Sequence, residues 1–333
     1  MSSSTGAWQP SASLAVLRQR AALLARARQF FADARLLEVD TPVMVGAAVT
    51  DVHIESARVQ LEAGAASSSA PRFLHTSPEY AMKRLLAGGS GDIYQICHVM
   101  RGFERSALHN PEFTLIEWYR IGVTLEALMH EVESLVRVLL DAAATGYRTE
   151  HLTYREAFLR ELRLDPFEAS LATLDAAAHA VGYRAAPAPG ASGERRDELL
   201  ELLMGTTVGP RLGRGALTFV SGYPASQAAL ARLDAHDARA ARRFELYCEG
   251  MELANGFHEL ASAPEQRARF ERDRVERVRL GLPAHALDER LLAALEAGLP
   301  DCCGVALGFD RVLMLATHAR HIDEVLAFPD ERA

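Results

Sequence analysis

Predicted strands in this chain follow one another through short turns and do not alternate with helices. Segments 93–100 and 113–121 are rich in β-branched and aromatic residues and flank one loop, which indicates two neighbouring strands. Residues 244–257 predict a hairpin that turns at Glu249-Gly250. Strands joined by short connections pair antiparallel, because parallel strands need a long crossover. The pattern therefore favours an antiparallel sheet flanked by helices, an α+β fold.

An amphipathic helix is expected near the start of the chain, over residues 14–37. Apolar residues recur there at spacings of three and four, and Ser11 or Ser13 precedes them as a candidate N-cap. Alternation over residues 49–54 predicts a strand. A short apolar strand over 304–308 leads directly into a further helix. Helices are therefore expected both before and after the predicted strands in the sequence.

Composition narrows the class of protein. The 333 residues are 49% hydrophobic, which is enough for a sizeable core, and no apolar run reaches the roughly 18 residues of a membrane span. No signal peptide is recognisable, and four cysteines without CxxC spacing suit reduced thiols, so a cytoplasmic location without membrane contact is expected. A net charge of −8 argues against a general nucleic-acid coat protein. We expect a single catalytic domain over residues 1–333, with a helical insertion around 145–215.

Two arginines in distant segments suit phosphate chemistry. Arg101 ends a predicted strand, and Arg311 begins a predicted helix behind Gly304 and Gly308. A guanidinium fork matches phosphate oxygens and stabilises charge that develops on them. Phe113 is a candidate to stack on a nucleotide base. Taken singly, each arginine is more typical of a surface ion pair, and only the combination of segments points to a site.

Three glutamates follow one another at intervals of seven residues. Glu245 and Glu252 fall on the two arms of the predicted hairpin, so their carboxylates can converge and offer the hard oxygen ligands that Mg²⁺ prefers. Solvated glutamates on a hairpin are the alternative, which the spacing alone would favour. Glu259 follows a run that contains Gly256 and Phe257. A carboxylate in that setting is expected to be partly buried and to need a cationic partner, such as a substrate ammonium.

Together these segments resemble motifs 2 and 3 of class II aminoacyl-tRNA synthetases, in the version found in lysyl-tRNA synthetases. The helix before Pro42 is similar to motif 1, which builds the dimer interface in this class. The resemblance rests on the following stretches: Thr76–Glu79, Arg101–Glu104, His109–Phe113, Glu117–Arg120, Glu252–Glu259 and Gly304–Arg311. Motif 2 usually reads Arg-x-Glu, whereas here Phe103 stands in the third position and Glu104 follows it.

Two departures from lysyl-tRNA synthetases point to one subfamily. The sequence begins just ahead of motif 1, where those enzymes carry an OB-fold anticodon-binding domain, and motif 3 has Ala306 in place of glycine. Both features are similar to the elongation factor P–(R)-β-lysine ligases. The similarity extends to residues 8–13, 219–227 and 254–260, close to the full length.

The resemblance implies roles for individual residues. It implies catalytic roles for Arg101, Arg311 and Glu252. It implies ATP contacts for Arg101, Phe103, Glu104, Asn110, Phe113, Glu252, Leu253, Gly308 and Arg311. It implies contacts to the amino acid for Ser77, Glu79, Tyr119, Glu259 and Ala306. It implies Mg²⁺ binding by Glu245 and Glu252.

The activity implied is ATP-dependent formation of a β-lysyl-adenylate, followed by transfer to a lysine ε-amine of elongation factor P. Elongation factor P, (R)-β-lysine from a lysine 2,3-aminomutase-like enzyme, and a second copy of the chain are the partners implied; tRNA is not. We hypothesise that the Ala306 methyl group disfavours α-lysine. Two alternatives stay open: a truncated lysyl-tRNA synthetase-like enzyme that activates α-lysine for another acceptor, and a catalytically silent synthetase-like binding protein.

Overall fold

The computed structural model describes residues 8–60, 71–102, 104–141, 145–184 and 192–333. Their α-helices are α1 (Leu14–Asp33), α2 (Glu79–Ala87), α3 (Leu125–Leu140), α4 (Tyr154–Leu162), α5 (Leu171–Ala180), α6 (Ser192–Leu203), α7 (Ala263–Arg279), α8 (Glu289–Gly298) and α9 (Phe309–Thr317). Their strands are β1 (Leu37–Glu38), β2 (Met44–Val45), β3 (Arg58–Val59), β4 (Arg72–Leu74), β5 (Ile93–Met100), β6 (Glu112–Ile121), β7 (Arg148–Thr153), β8 (Ala216–Pro224), β9 (Ala240–Cys248), β10 (Met251–His258) and β11 (Cys302–Gly308). Among these residues, no helix has both the length and the hydrophobicity that a membrane crossing requires.

By its contacts the chain divides into two compact units, and residues 1–143 with 260–333 form the first. Its main sheet has the order β1-β5-β6-β11, with β5, β6 and β11 antiparallel and β1 parallel to β5. A small antiparallel sheet has the order β2-β4-β3. The α+β class is confirmed, and the parallel β1 is a feature that the short-turn pattern did not indicate.

One face of the main sheet of the first unit is covered by α1. Trp118, on β6, is fully buried, and its ring centroid lies 5.3 Å from that of Phe31 on α1. Phe31 also stacks on Tyr94 of β5 at 4.3 Å. Because side chains alternate between faces along a strand, the odd-numbered residues of β5 and β6 project from the opposite face.

The N-terminal helix begins where its cap residue predicts and ends earlier than expected. The Ser13 side chain accepts a hydrogen bond from the Val16 backbone N–H, which makes Ser13 the N-cap. The helix stops at Asp33, and not at residue 37, because Arg35 adopts a φ of 60°, in the left-handed region. The chain then turns into the short strand β1.

The strand predicted over residues 49–54 was wrong. Arg277, on α7 and fully buried, donates hydrogen bonds to the carbonyls of Asp51 (2.7 Å) and Ile54 (3.3 Å). It also pairs with the Glu55 carboxylate. A buried guanidinium from a distant helix therefore takes backbone acceptors that a strand would have paired in a ladder.

Residues 144–259 form the second unit, whose sheet has the order β10-β9-β8-β7. The predicted hairpin is confirmed: β9 and β10 pair antiparallel and turn at Glu249 and Gly250, with φ of 49° and 78°. Positive φ at both central residues is what a type I′ hairpin turn requires. Helices α4, α5 and α6 contribute a hydrophobic core that includes Phe158, Leu174 and Leu199.

Candidate active site

Strand register in the first unit aligns several of the predicted site residues on one face. Glu117 of β6 is paired with Gln95 of β5 on one side and with Ala306 of β11 on the other. Directly paired residues project from the same face, so these three side chains form a row across the sheet. Tyr119 and Phe113 lie on the same face of β6, because each is an even number of residues from Glu117. This face is the one that α1 does not cover.

Ser77 and Tyr119 converge on a buried carboxylate. The Ser77 hydroxyl donates to Oε2 of Glu117 at 2.7 Å, and the Tyr119 hydroxyl donates to Oε1 at 2.8 Å. Glu117 is 2% exposed. The sequence assigned no role to Glu117; its position two residues before Tyr119 on one strand face was the available signal. The arrangement concentrates negative charge where a substrate cation can be bound.

Glu79 begins α2 beside this cluster. Its backbone N–H donates to the Ser77 hydroxyl (3.0 Å), so Ser77 bonds to both Glu79 and Glu117. Lys83, the only lysine in the chain, donates to Oε1 of Glu79 at 2.7 Å and is 1% exposed. A buried ammonium thus fixes one oxygen of Glu79 and offsets part of the negative charge of the cluster.

Arg101 follows β5 and lies against the ring of Phe113. The guanidinium carbon is 5.2 Å from the centroid of that ring, and the Arg101 backbone N–H donates to the carbonyl of Pro111 at 2.8 Å. The Nε atom is buried and has no hydrogen-bond partner within the described ranges. A buried donor without a partner is costly, so this N–H is well suited to an anionic ligand. The predicted base-stacking residue and the predicted phosphate-binding residue are therefore neighbours.

His109 is bonded to one of the two arginines predicted to bind phosphate. Nη2 of Arg311 lies 2.7 Å from Nε2 of His109, and the Ser106 hydroxyl is 2.7 Å from Nδ1. Burial, followed by the charges of Arg311 and Arg101, lowers the pKa of His109 to about 4. The imidazole is therefore neutral near pH 7 and can accept from Arg311 only if its proton is on Nδ1. The sequence did not single out His109, although it lies beside Asn110 in motif 2.

The position of Arg311 is set by its neighbour Asp310. Helix α9 starts immediately after Gly308, which places Arg311 in the first turn. The Asp310 carboxylate accepts from the backbone N–H of Thr114 on β6 at 2.6 Å and from Arg20 of α1 at 2.5 Å. The start of α9 is thereby tied to both the sheet and the first helix.

Asn110 has partners at both ends of its side-chain amide. Its Nδ2 donates to the carbonyl of Glu112 (2.7 Å), and its Oδ1 accepts from the backbone N–H of Asp330 (3.1 Å). Asn110 therefore holds the start of β6 against the C-terminal segment. Glu104 is half-buried. Phe103 lies outside the described residues.

In the second unit, Glu245 is the centre of a buried polar cluster on the hairpin. Its Oε2 accepts from the hydroxyls of Tyr223 (2.6 Å) and Tyr247 (2.5 Å), and its Oε1 accepts from Arg243 (2.5 Å). Burial and then the Glu245 charge raise the pKa of both tyrosines well above the ordinary value. These phenols therefore stay protonated and remain donors.

Glu252 lies on the same face of this hairpin. It is paired with Tyr247 across the two strands, which places it diagonally opposite Glu245. Burial lowers the pKa of Arg243, but Glu245, Tyr223 and Glu252 together hold it above the usual value. Leu253 is buried, and Glu259, which follows β10, is 1% exposed, a more complete burial than the partial one expected from the sequence.

The donor set of the hairpin is compatible with Mg²⁺ on chemical grounds. Glu245 and Glu252 provide carboxylate oxygens on one face, and those of Glu245 already accept from Arg243 and two tyrosine hydroxyls. Mg²⁺ commonly takes one or two carboxylates and completes its shell with water and substrate phosphate. Over the described ranges, no set of three or more His, Cys, Asp or Glu side chains is arranged to hold a metal ion by itself.

Known proteins resemble this chain over almost its whole length. The family model of the class II tRNA synthetases (D, K and N) matches residues 8–332. The elongation factor P–(R)-β-lysine ligase of Vibrio parahaemolyticus is 48% identical over 322 residues, covering 97% of this chain and 98% of that protein. Proteins of the same name from Proteus mirabilis and Yersinia enterocolitica are 48% and 47% identical over 326 and 331 residues. They cover 98% and 99% of this chain and 98% and 100% of their own lengths.

Identity at this level over nearly complete chains leaves the assignment to a family unambiguous. Within the class II tRNA synthetases, this chain belongs to the family of the elongation factor P–(R)-β-lysine ligases.

Proposed function

We propose that this chain activates (R)-β-lysine with ATP and transfers the β-lysyl group to the ε-amine of one lysine of elongation factor P. The observation that carries the proposal is its near full-length similarity to proteins named for this ligation. The acidic cluster around Ser77, Glu79 and Glu117 supports it, because β-lysine brings two ammonium groups that need anionic partners.

In the first step, a carboxylate oxygen of β-lysine attacks the α-phosphorus of ATP. The new acyl–phosphate bond forms as the bond from the α-phosphorus to the bridging oxygen breaks, and pyrophosphate leaves with that electron pair. The nucleophile is already ionised, so the step needs no protein base. Arg101 and Arg311 stabilise charge on the phosphates, and catalysis consists of orientation and electrostatic stabilisation. The neutral His109 holds Arg311 in place for this task.

We assign the remaining nucleotide contacts by position in the two motifs. Phe113 and Gly308 lie on the sheet face of the first unit that α1 does not cover, and we assign the base and its phosphates to that face. Glu104, Asn110 and Leu253 complete the proposed ATP-binding set, together with Phe103. Glu245 and Glu252 would hold Mg²⁺, which neutralises phosphate charge when bound.

We assign recognition of the amino acid to side chains around the Glu117 carboxylate. In the first unit, Glu79 provides negative charge, Ser77 and Tyr119 orient the Glu117 carboxylate, and the Ala306 methyl group lies beside it. The resemblance alone assigns Glu259 to the same task. Glu117 joins this set on its hydrogen bonds, although the sequence had not assigned it a role.

In the second step, the lysine ε-amine of elongation factor P attacks the acyl carbon of the adenylate. An amide bond forms, the bond between the acyl carbon and the phosphate oxygen breaks, AMP leaves, and the attacking nitrogen releases a proton. The amine must be neutral to attack, and desolvation on docking lowers its pKa in the required direction.

The chain is proposed to act as a cytoplasmic homodimer. Leu14 of α1, Leu37 of β1 and Met44 of β2 are 67%, 55% and 43% exposed, so the motif 1 segment offers apolar side chains for a second copy to cover. (R)-β-lysine would come from a lysine 2,3-aminomutase-like enzyme, and tRNA is not proposed as an acceptor. Light scattering of the native protein and of Leu37→Asp tests the dimer, and a dimer that this substitution leaves intact would place the interface elsewhere.

The decisive test of function is ATP–pyrophosphate exchange with (R)-β-lysine and with α-lysine in parallel. We expect exchange with β-lysine, and then a mass increase of one lysyl residue on elongation factor P when it is added. The alternative, activation of α-lysine for another acceptor, is not favoured by the names of the relatives. A clear preference for α-lysine would overturn the proposal, and exchange with neither amino acid would indicate a silent binding protein.

A further inference from the structure

Gln95 is a buried amide that the fold leaves unused. It lies within β5 and is 1% exposed. Neither Oε1 nor Nε2 has a hydrogen-bond partner among the described residues. Leaving a buried amide unsatisfied is costly, and a native structure that keeps one needs an explanation. A ligand that supplies the missing partner is one such explanation.

The surroundings of Gln95 place it beside Glu117, which is proposed to bind the amino acid. It is paired with Glu117, which is paired in turn with Ala306, so all three side chains project from the same face. Cys97, two residues along β5, lies on the same face as Gln95. Burial and then the charge of Glu117 raise the pKa of the Cys97 thiol to about 12, while a contact with Gln95 lowers it. A thiol is only a weak hydrogen-bond partner and does not satisfy an amide.

The reaction sets the direction in which β-lysine lies on this face. Its carboxylate must reach the α-phosphate, so it points towards Arg101 and Phe113. Glu117 is four residues further along β6 than Phe113, a distance of about 13 Å at the usual rise per residue. The terminal ammonium of the substrate therefore points away from the phosphates, towards Glu117 and Gln95.

We propose that Oε1 of Gln95 accepts a hydrogen bond from the terminal ammonium of β-lysine, beside the Glu117 carboxylate. This inference rests on the proposed function, which supplies the substrate and its orientation. An amide suits the position because it accepts from the ammonium without adding negative charge. A second carboxylate next to Glu117 would raise the pKa of one of the pair and weaken its ionisation. Gln95 is thereby a specificity-determining residue for the length and terminal charge of the amino acid.

The test asks whether the effect of replacing Gln95 depends on the terminal amine of the substrate. ATP–pyrophosphate exchange is measured for the native protein and for Gln95→Leu, each with (R)-β-lysine and with (R)-3-aminohexanoic acid, which lacks the terminal amine. Loss of a hydrogen bond to a charged group predicts that Gln95→Leu raises KM for β-lysine about 10- to 100-fold. KM for the analogue is expected to change less than about twofold. The preference for β-lysine, taken as the ratio of the two KM values, therefore falls by nearly the same factor as KM for β-lysine rises.

Stability and control variants separate this role from a structural one. Gln95→Leu removes an unsatisfied buried amide and is expected to keep or raise the Tm. Gln95→Asn, which shortens the reach of the amide by one methylene, covers the case in which the leucine variant folds poorly, and it should lower the same preference. Gln266→Leu removes another buried amide with an unpartnered oxygen, on α7, and should leave the preference unchanged.

Three results would overturn the inference, and they are distinguishable. An unchanged preference for β-lysine in an active Gln95→Leu enzyme would show that the amide does not contact the terminal ammonium, and the proposed function would stand. Absence of exchange with β-lysine in the native protein would remove the proposed function, and the inference would fall with it. A parallel loss with β-lysine and with the analogue would count as a structural effect and also contradict the contact.

Discussion

Nη2 of Arg311 lies 2.7 Å from Nε2 of His109, so a motif 3 arginine is bonded directly to a motif 2 histidine. His109 can accept this bond only while Nε2 carries no proton. Burial and the neighbouring arginine charges ensure this by lowering the pKa of the ring to about 4. The position of an arginine that we propose to bind phosphate therefore depends on a neutral imidazole.

Acid should destabilise the native protein through His109. Between about pH 6.5 and 4 the unfolded chain binds a proton on this histidine and the folded chain does not, so stability falls as pH falls. The contribution is roughly 1 to 3 kcal/mol, fully present above pH 6.5 and lost by about pH 4. Chemical denaturation across this range measures it, with His109→Asn as the variant that lacks the titration. If both proteins lose stability with the same slope, the ring does not stay neutral as inferred.

Replacing Lys83 by Met should destabilise the first unit. The ammonium is buried 2.7 Å from Oε1 of Glu79, and its loss leaves a largely buried carboxylate without this cation. We expect a loss of about 3 kcal/mol in urea unfolding. Adding Glu79→Gln removes the unpaired charge and should restore much of the loss. If the loss in free energy of unfolding of the double variant equals the sum of the losses of the two single variants, the pair is not coupled.

Glu117→Gln should weaken amino-acid binding selectively. Glutamine keeps the shape but removes the charge that Ser77 and Tyr119 orient. KM for β-lysine is expected to rise about 10- to 100-fold, with KM for ATP changed less than about twofold. Glu131→Gln is a matched control, because that carboxylate binds the Trp118 indole on the other face of β6. An equal rise of both KM values for Glu117→Gln would mean that the substitution disturbs the whole site.

Ala306→Gly should admit α-lysine. Ala306 lies in register with Glu117, and its methyl group occupies space on the face that we propose to bind the amino acid. One methyl group in a pocket is worth about 10-fold or more in discrimination, so kcat/KM for α-lysine should rise about 10-fold. Parallel exchange assays with both amino acids measure the ratio. Unchanged activation of α-lysine would show that the methyl group does not set this preference.

Glu252→Gln should raise the Mg²⁺ concentration needed for half-maximal exchange. The substitution halves the carboxylate charge that Glu252 and Glu245 offer on the hairpin face, and Mg²⁺ depends on such hard anionic ligands. The matched control is Glu249→Gln, in the hairpin turn, where the carboxylate accepts from the backbone N–H of Gly215. An identical Mg²⁺ requirement for native protein and Glu252→Gln would remove Glu252 from the proposed magnesium set.

Several elements were predictable because their causes are local. Ser13 caps α1 through a bond to a residue three positions away, and Glu249-Gly250 turns the hairpin because both residues adopt positive φ. The prediction of a strand over residues 49–54 was wrong because the deciding interaction is not local. Its alternation was real, but a guanidinium more than 200 residues away took its backbone carbonyls. No local pattern reports such a competitor.

The sequence by itself determined the family and the α+β class. Motifs 2 and 3 and the strand segments are contiguous, and their residue types already carry the chemistry of phosphate and ammonium binding. Only the tertiary structure decided which side chains meet. Strand pairing put Gln95, Glu117 and Ala306 in one row, and helix packing brought Arg311 to His109. These relationships depend on strand register and burial, which arise only when segments distant in sequence pack together and exclude water. A slip of one residue in strand pairing would move the row of side chains to the other face of the sheet.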